Sequence, residues 1–385
     1  MKIFLVAGEP SGDRLGAALM AGLKALAPQV EFVGVGGPAM AAEGLQSLFA
    51  MEELAVMGLA EVLPRLPRLL HLRTLTARAV AAARPDALVT IDSPDFCLRV
   101  AARARALAPG LRTIHYVAPS VWAWRPGRAA KMARHIDHVL TLLPFEPPYM
   151  HAAGMGATFV GHPVVAEPRA TAPEAAAFRA RHSIAAGAPL ALVLPGSRAG
   201  EVGRLAPIFG ATLARLAPAH PGLRVAVPTV PGVAARVRAE AATWPGAPVV
   251  LIDAADKRAA FAAATAALAA SGTVSLELAA NGVPMVIGYR FAWLTWQILR
   301  RRVRLDTATL VNIVSETRAV PECLGPACTP ACLAPAFDAL LRGEAGGQRA
   351  AMATTMARLG QGGEAPGLRA ARAVLAVVRG APGTR

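Results

Sequence analysis

The chain has 385 residues, enough for two domains with well-buried cores, and its 54% hydrophobic and 17% charged residues are a globular composition rich in alanine. Forty Lys and Arg against 25 Asp and Glu give a formal net charge of +15. The basic residues are mostly arginines scattered through Ala-rich stretches, with no lysine run and no nucleic-acid signature, so nucleic acid ranks last and anionic substrates or an anionic membrane surface rank ahead of it. The longest uncharged run, 259–276, is alanine-dominated and interrupted by Ser271-Gly272-Thr273, which excludes a membrane span there. Cys97, Cys323, Cys328 and Cys332 form no C-x-x-C pair and have no histidine among them, so no zinc site and no metal is expected.

Met1-Lys2 leads straight into an apolar run, so no signal peptide is expected and the protein is placed in the cytoplasm. Residues 2–7 read as a strand, followed by the turn Gly8-Glu9-Pro10-Ser11-Gly12-Asp13 and a helix to Leu26. Strand, Gly-rich turn and helix open a doubly wound α/β domain, whose ligands bind where such strands end. The turn is neither a GxGxxG fingerprint nor a P-loop, and Ser11 and Asp13 are candidates either for sugar or phosphate contact or for turn and N-cap. A second strand is expected at 30–35.

Residues 51–80 combine Leu54, Val56, Met57, Leu59, Val62, Leu63, Leu66, Leu69, Leu70, Leu72 and Leu75 with Arg65, Arg68, Arg73 and Arg78. Pro64 and Pro67 predict two short helical pieces. Apolar bulk beside purely basic charge suits a helix on an anionic bilayer, and equally one packed on its own sheet.

A buried strand at 86–91 ends in Asp92-Ser93-Pro94-Asp95-Phe96, where Ser93 is expected to cap the next helix and Pro94 to start it. A carboxylate at the carboxyl end of a central strand is where a general base belongs. Dipole complementation explains one of the two acids, not both; Asp92 suits the turn, and Asp95 is the candidate base. Strands at 113–117 and 137–142 follow, the first leading into Trp122, Trp124 and Arg125, and 159–163 reads as the strand leaving the domain.

A polar, proline-containing linker spans 164–171, and the pattern then restarts. Residues 190–194 form a strand ending in Pro195-Gly196-Ser197-Arg198, with Arg198 where a cation meets a phosphate. Further strand–helix units are expected at 223–227 and 249–253. Ala269-Ala270-Ser271-Gly272-Thr273-Val274-Ser275-Leu276-Glu277 then passes from strand through a Ser-Gly-Thr turn into a helix. Free N–H groups at such a junction favour a diphosphate, and Glu277, on the face of Thr273, suits two sugar hydroxyls. After the next strand come Trp293, Trp296 and the basic cluster 300–304. The segments around Asn312 and Glu322 are expected to form a loop that closes over the donor.

These motifs together, with Met51-Glu52-Glu53-Leu54, Ala118-Pro119-Ser120-Val121-Trp122 and Leu142-Leu143-Pro144-Phe145-Glu146, resemble the lipid-A-disaccharide synthase family over nearly the whole chain. The resemblance implies a GT-B fold: two Rossmann-like doubly wound domains, 1–165 for the acceptor and membrane and 166–355 for the UDP-sugar donor. They would face each other across a cleft, with segment 356–385 crossing back. It implies an inverting transfer from UDP-2,3-diacylglucosamine to 2,3-diacylglucosamine 1-phosphate, giving the β-1,6 disaccharide 1-phosphate and UDP. The enzyme would be peripheral on the inner face of the inner membrane, held through residues 54–78.

By the same resemblance Asp95 is the base and Arg198 holds the diphosphate. Ser11, Asp13, Ser197, Ser271, Thr273, Glu277, Asn312 and Glu322 bind substrate, and no cofactor is implied. Val311 before Asn312, Pro10 and the 323–332 segment depart from the family's pattern. The alternatives are another GT-B UDP-sugar transferase or epimerase, or a non-catalytic nucleotide-sugar or lipid-binding protein.

Overall fold

In a computed structural model the chain divides into two compact units, residues 1–166 with 359–385, and residues 167–358. The structure describes residues 1–54, 59–123, 127–291 and 306–380, and for 59–63 the backbone alone. Val56, Met57, Trp124, Arg125, Trp293, Trp296 and the cluster 300–304 therefore lie outside the described residues, as do the side chains of Leu59, Val62 and Leu63.

The first unit is built on a six-stranded parallel sheet of β1 (Lys2–Ala7), β2 (Glu31–Val35), β3 (Ala87–Ile91), β4 (Thr113–Tyr116), β5 (His138–Thr141) and β6 (Gly156–Phe159). Their spatial order is β2-β1-β3-β4-β5-β6. Alternation along β1 serves both faces: Ile3 and Leu5 join one buried cluster and Phe4 and Val6 the other. The helices α1 (Pro10–Leu26), α2 (Pro38–Ala42), α3 (Leu59–Ala83), α4 (Pro94–Leu107), α5 (Gly127–Met132) and α6 (Pro147–Ala152) connect the strands.

The second unit repeats the plan. Its strands are β7 (Leu190–Leu194), β8 (Arg224–Pro228), β9 (Val249–Leu251), β10 (Ala266–Ala269), β11 (Met285–Tyr289) and β12 (Glu322–Leu324), ordered β12-β11-β10-β7-β8-β9. The connecting helices are α7 (Ala172–Arg181), α8 (Ala199–Leu216), α9 (Ala234–Ala241), α10 (Ala254–Ala263) and α11 (Val274–Ala280). A capping box between Thr171 and Glu174 starts α7 directly after the polar segment. Each sheet has one point where the strand order reverses, between β1 and β3 in the first unit and between β7 and β10 in the second. Open parallel sheets bind ligands at that point, beyond the carboxyl ends of the strands.

Four local expectations are corrected. Residues 59–83 form one helix, not two, and run through Pro64 and Pro67. Both prolines are solvent-exposed. The last strand of the first sheet is 156–159 rather than 159–163. Ser93 holds the N-cap position of α4 but makes no side-chain cap bond. Finally, Asn312 lies in a helix, Leu310–Ser315, and Glu322 on the edge strand β12, instead of one irregular loop. Val311 and Val314 are buried and pin that helix to the unit. Cys323 and Cys332 are joined in a disulfide, while Cys328 is free and buried.

The C-terminal helix, Pro366–Arg379, packs on α1 and contributes Ala370, Ala371, Val374 and Leu375 to a first-unit core cluster. It comes close because the crossing is lined by Gly22 and Gly367 with only the methyls of Ala18 and Ala371 beside them. A Cβ on Gly367 would stand 2.5 Å from the Ala18 carbonyl oxygen, and one on Gly22 would stand 2.7 Å from that of Gly367.

Candidate active site

The turns after β1 and β3 meet at the first switch point. A Cβ on Gly8 would stand 2.8 Å from Ser93 Oγ, so only glycine lets the two turns lie together. The contact is tied by hydrogen bonds: Ser11 Oγ donates to Asp92 Oδ2 at 2.9 Å, and Ser93 Oγ to Glu9 Oε1 at 3.2 Å. Asp92 also accepts from the Ser93 amide at 2.9 Å, so its carboxylate braces the turn. Asp92 and Ser93 both adopt positive φ, 53° and 40°, and Val117, just beyond β4, has φ 84°. A β-branched residue there is strained, and such strain collects at functional sites.

Asp95 stands apart from this web. It lies in the first turn of α4 with its side chain 91% exposed, and its ion-pair partner is Arg128 of α5 at 3.5 Å. Asp13, by contrast, is 4% exposed. Its carboxylate accepts from the amides of Gly37, Ala39 and Met40 at 2.8, 2.9 and 3.0 Å. Those bonds cap α2, so the capping alternative describes Asp13, with the cap on a neighbouring helix rather than its own.

At the second switch point Leu194 of β7 and Ala269 of β10 are paired neighbours, which puts the Pro195–Arg198 and Ala270–Thr273 turns side by side. Ser197 and Arg198 are exposed just before the 18-residue α8, and Gly272 and Thr273 are exposed just before α11. The positive ends of both helices face these turns. Ser271 Oγ donates to the Ala308 carbonyl at 3.2 Å. Glu277 is held by Lys257 of α10 at 2.5 Å.

Asn312 is fully buried: it donates to Thr307 Oγ1 and the Val320 carbonyl and accepts from the Val320 amide. The Glu322 carboxylate accepts from the hydroxyls of Thr307 and Thr309 and the Ala308 amide. Asn312 thus staples segment 307–320 to itself, and Glu322 ties residues 307–309 to the edge strand β12.

The sequence reading missed Glu201 and did not single out Glu146 as a buried acid. Glu201, 9% exposed, accepts from the Tyr289 hydroxyl at 3.0 Å, the Ser197 amide at 3.3 Å and Arg198 Nη1 at 3.3 Å. It organises the whole Ser197–Arg198 turn. Its signal was an acid at the third position of a helix, the place from which a capping-box side chain reaches back. Glu146 accepts from the amides of Leu142 and Leu143 and from Trp122 Nε1. Burial outweighs those bonds and pushes its carboxyl up to about 7. Burial likewise pushes His115 down to about 4, with the charge of Arg128 adding to it. Among the described residues no group of three or more His, Cys, Asp or Glu is placed to hold a metal ion.

The lipid-A-disaccharide synthetase family model matches residues 3–372. The chain belongs to this family. Lipid-A-disaccharide synthases of Ruegeria pomeroyi and Rhodospirillum centenum are 62% and 55% identical to it, over 97% and 98% of this chain and 95% and 94% of theirs. Two solved structures share its fold over nearly their whole length. UDP-GlcNAc 2-epimerase from Neisseria meningitidis, bound to UDP-GlcNAc, aligns over 99% of this chain and 100% of its own, with TM-score 0.67 and 11% identity. MurG of Acinetobacter baumannii aligns over 98% and 99%, with TM-score 0.54 and 15% identity. Two doubly wound parallel sheets with these neighbours make the fold GT-B. As a lipid-A-disaccharide synthase family member the chain is a glycosyltransferase, which sets aside the non-catalytic alternative.

Proposed function

We propose that this protein transfers the 2,3-diacylglucosamine of its UDP conjugate to the 6-hydroxyl of 2,3-diacylglucosamine 1-phosphate. Asp95 takes the hydroxyl proton, the oxygen forms a bond to the donor's anomeric carbon, and the bond to UDP breaks on the opposite face, inverting α to β. What carries the reading is the exposed Asp95 at a switch point whose other acids are already bonded.

The donor's diphosphate is held by Arg198, Ser197 and the amides around Ser271 and Thr273, where negative charge builds as UDP leaves. Glu277 binds the ribose and Ser11 the acceptor sugar. Asp13, Asn312 and Glu322 act by positioning the loops around the substrates. The reading takes no metal or cofactor, because Arg198 and fixed amides supply the positive charge.

The enzyme works at the inner face of the inner membrane, peripherally. Leu66, Leu70 and Leu75 of α3 are 39–41% exposed beside exposed Arg65, Arg68 and Arg78, which suits acylated substrates and anionic headgroups. No helix among the described residues is long and apolar enough to cross a membrane.

UDP release from the two acylated substrates, in wild type and Asp95→Ala, tests the reaction. General-base loss is expected to slow release by about 10²–10⁴-fold with UDP affinity unchanged. Similar rates in both proteins would remove Asp95 from the role and leave Asp92 as the next candidate.

A further inference from the structure

Asp95 lies on the rim of a cavity of about 380 Å³ between α4 and α5. The α4 wall carries Asp95, Leu98, Arg99 and Ala102, spaced along one helical face. The opposite wall carries Arg128, Lys131, Met132 and Arg134. Four cations thus surround one carboxylate. Only Arg128 is paired with it, and among the described residues no acid pairs with Arg99, Lys131 or Arg134. Like charges brought this close repel one another unless an anion joins them, and forked guanidiniums beside an ammonium suit a phosphomonoester. The mechanism above uses none of these cations.

We propose that this cavity binds the phosphomonoester of the acceptor, with the acceptor's 6-hydroxyl at Asp95 and its 1-phosphate among Arg99, Arg128 and Lys131. Four residues of helix separate Asp95 from Arg99, a rise of about 6 Å. A hexose 1-phosphate carries its reacting hydroxyl and its phosphate at opposite ends of one ring, a comparable span. Leu98 and Ala102, both half-buried, offer the apolar surface that a sugar's flat face covers. The cavity thereby selects a phosphorylated acceptor and sets which hydroxyl faces the base. This assignment rests on the acceptor reading above and adds a subsite to it.

The test is steady-state UDP release with the acceptor carrying or lacking its 1-phosphate, in wild type, Arg99→Ala, Lys131→Ala and Arg99→Lys. All are changes at exposed positions, expected to leave folding intact, which circular dichroism checks. Each alanine variant is expected to raise KM for the phosphorylated acceptor at least tenfold, with kcat and the donor KM within about threefold of wild type. KM for the dephosphorylated acceptor is expected to stay at the wild-type value, and Arg99→Lys to recover part of the loss.

Equal losses on both acceptors, or an unchanged acceptor KM, would overturn the subsite. Losses that appear instead as weaker partition into phosphatidylglycerol vesicles would overturn it too and assign the cations to the bilayer. If wild type transfers to neither acceptor, the reaction itself is misread, and calorimetric titration of 2,3-diacylglucosamine 1-phosphate in detergent decides the subsite separately. Weaker binding to Arg99→Ala than to wild type then supports the subsite, and equal binding removes it.

Discussion

Glu146 sits at the carboxyl end of β5, and its burial raises its carboxyl from 4.5 to about 7. A folded acid with a raised pKa holds its proton more tightly than the unfolded chain does. Its contribution is complete below about pH 4.5 and is lost as the pH rises through about 7. Replacing it by Gln keeps an acceptor for the Leu142 and Leu143 amides without the charge. Relative to wild type, Glu146→Gln is therefore expected to gain about 1.4 kcal/mol per pH unit across that window, of order 3 kcal/mol in all. Urea unfolding at pH 5 and pH 8 checks this, and parallel pH curves for the two proteins would contradict it. His115 and His162, both pushed down to about 4 mainly by burial, act in the opposite direction. Their contribution is lost as the pH falls from 6.5 towards 4, in both proteins alike. Glu201 is the other decisive single residue. Glu201→Ala removes the acceptor that the Ser197 amide and Arg198 Nη1 share, so UDP affinity is expected to fall about tenfold, or 1.4 kcal/mol, by calorimetric titration. An unchanged UDP affinity would mean the turn keeps its shape without this acid.

Among the elements, the C-terminal helix shows how a distant segment completes a core. Its Ala370, Ala371, Val374 and Leu375 cover the first unit beside α1, and Gly367 sets the spacing. Gly367→Leu forces the two helices apart and is expected to cost about 1–3 kcal/mol. Hydrogen exchange should register that loss in α1 and β1 and leave β7 and α8 unchanged; uniform protection in all four would refute it. The α3 helix teaches the reverse lesson about local rules. Two prolines three residues apart predict a break, yet the helix continues through both, with the two rings on its exposed side.

For the molecule as a whole, the proposed membrane contact joins a charge of +15 with the exposed leucines on α3. Partition onto anionic vesicles is expected to weaken between about 50 mM and 500 mM salt as the Debye length shrinks. Leu66→Asp with Leu70→Asp should reduce that partition at least tenfold at any salt while leaving UDP affinity and thermal stability as they were. Vesicle binding that ignores both salt and the two leucines would place the membrane surface elsewhere.

The sequence by itself determined the two α/β units, the strand cores and the turns at 8–13, 92–95, 195–198 and 271–277. Parallel strands buried on both faces must be continuous apolar runs, and tight turns between strand and helix favour Gly and Ser, so both are written locally. Only the tertiary structure decided how the polar residues divide between bracing and exposure. Asp13 caps α2, Asp92 takes Ser11, Asn312 closes its own segment on Val320 and Glu322 ties that segment down, while Asp95 remains open to solvent. A carboxylate's partners come from segments far along the chain: 81 residues separate Ser11 from Asp92, and 24 separate Asp13 from Gly37. Residue type and spacing announce that an acid is present; which donors reach it depends on how the strands are ordered in the sheet.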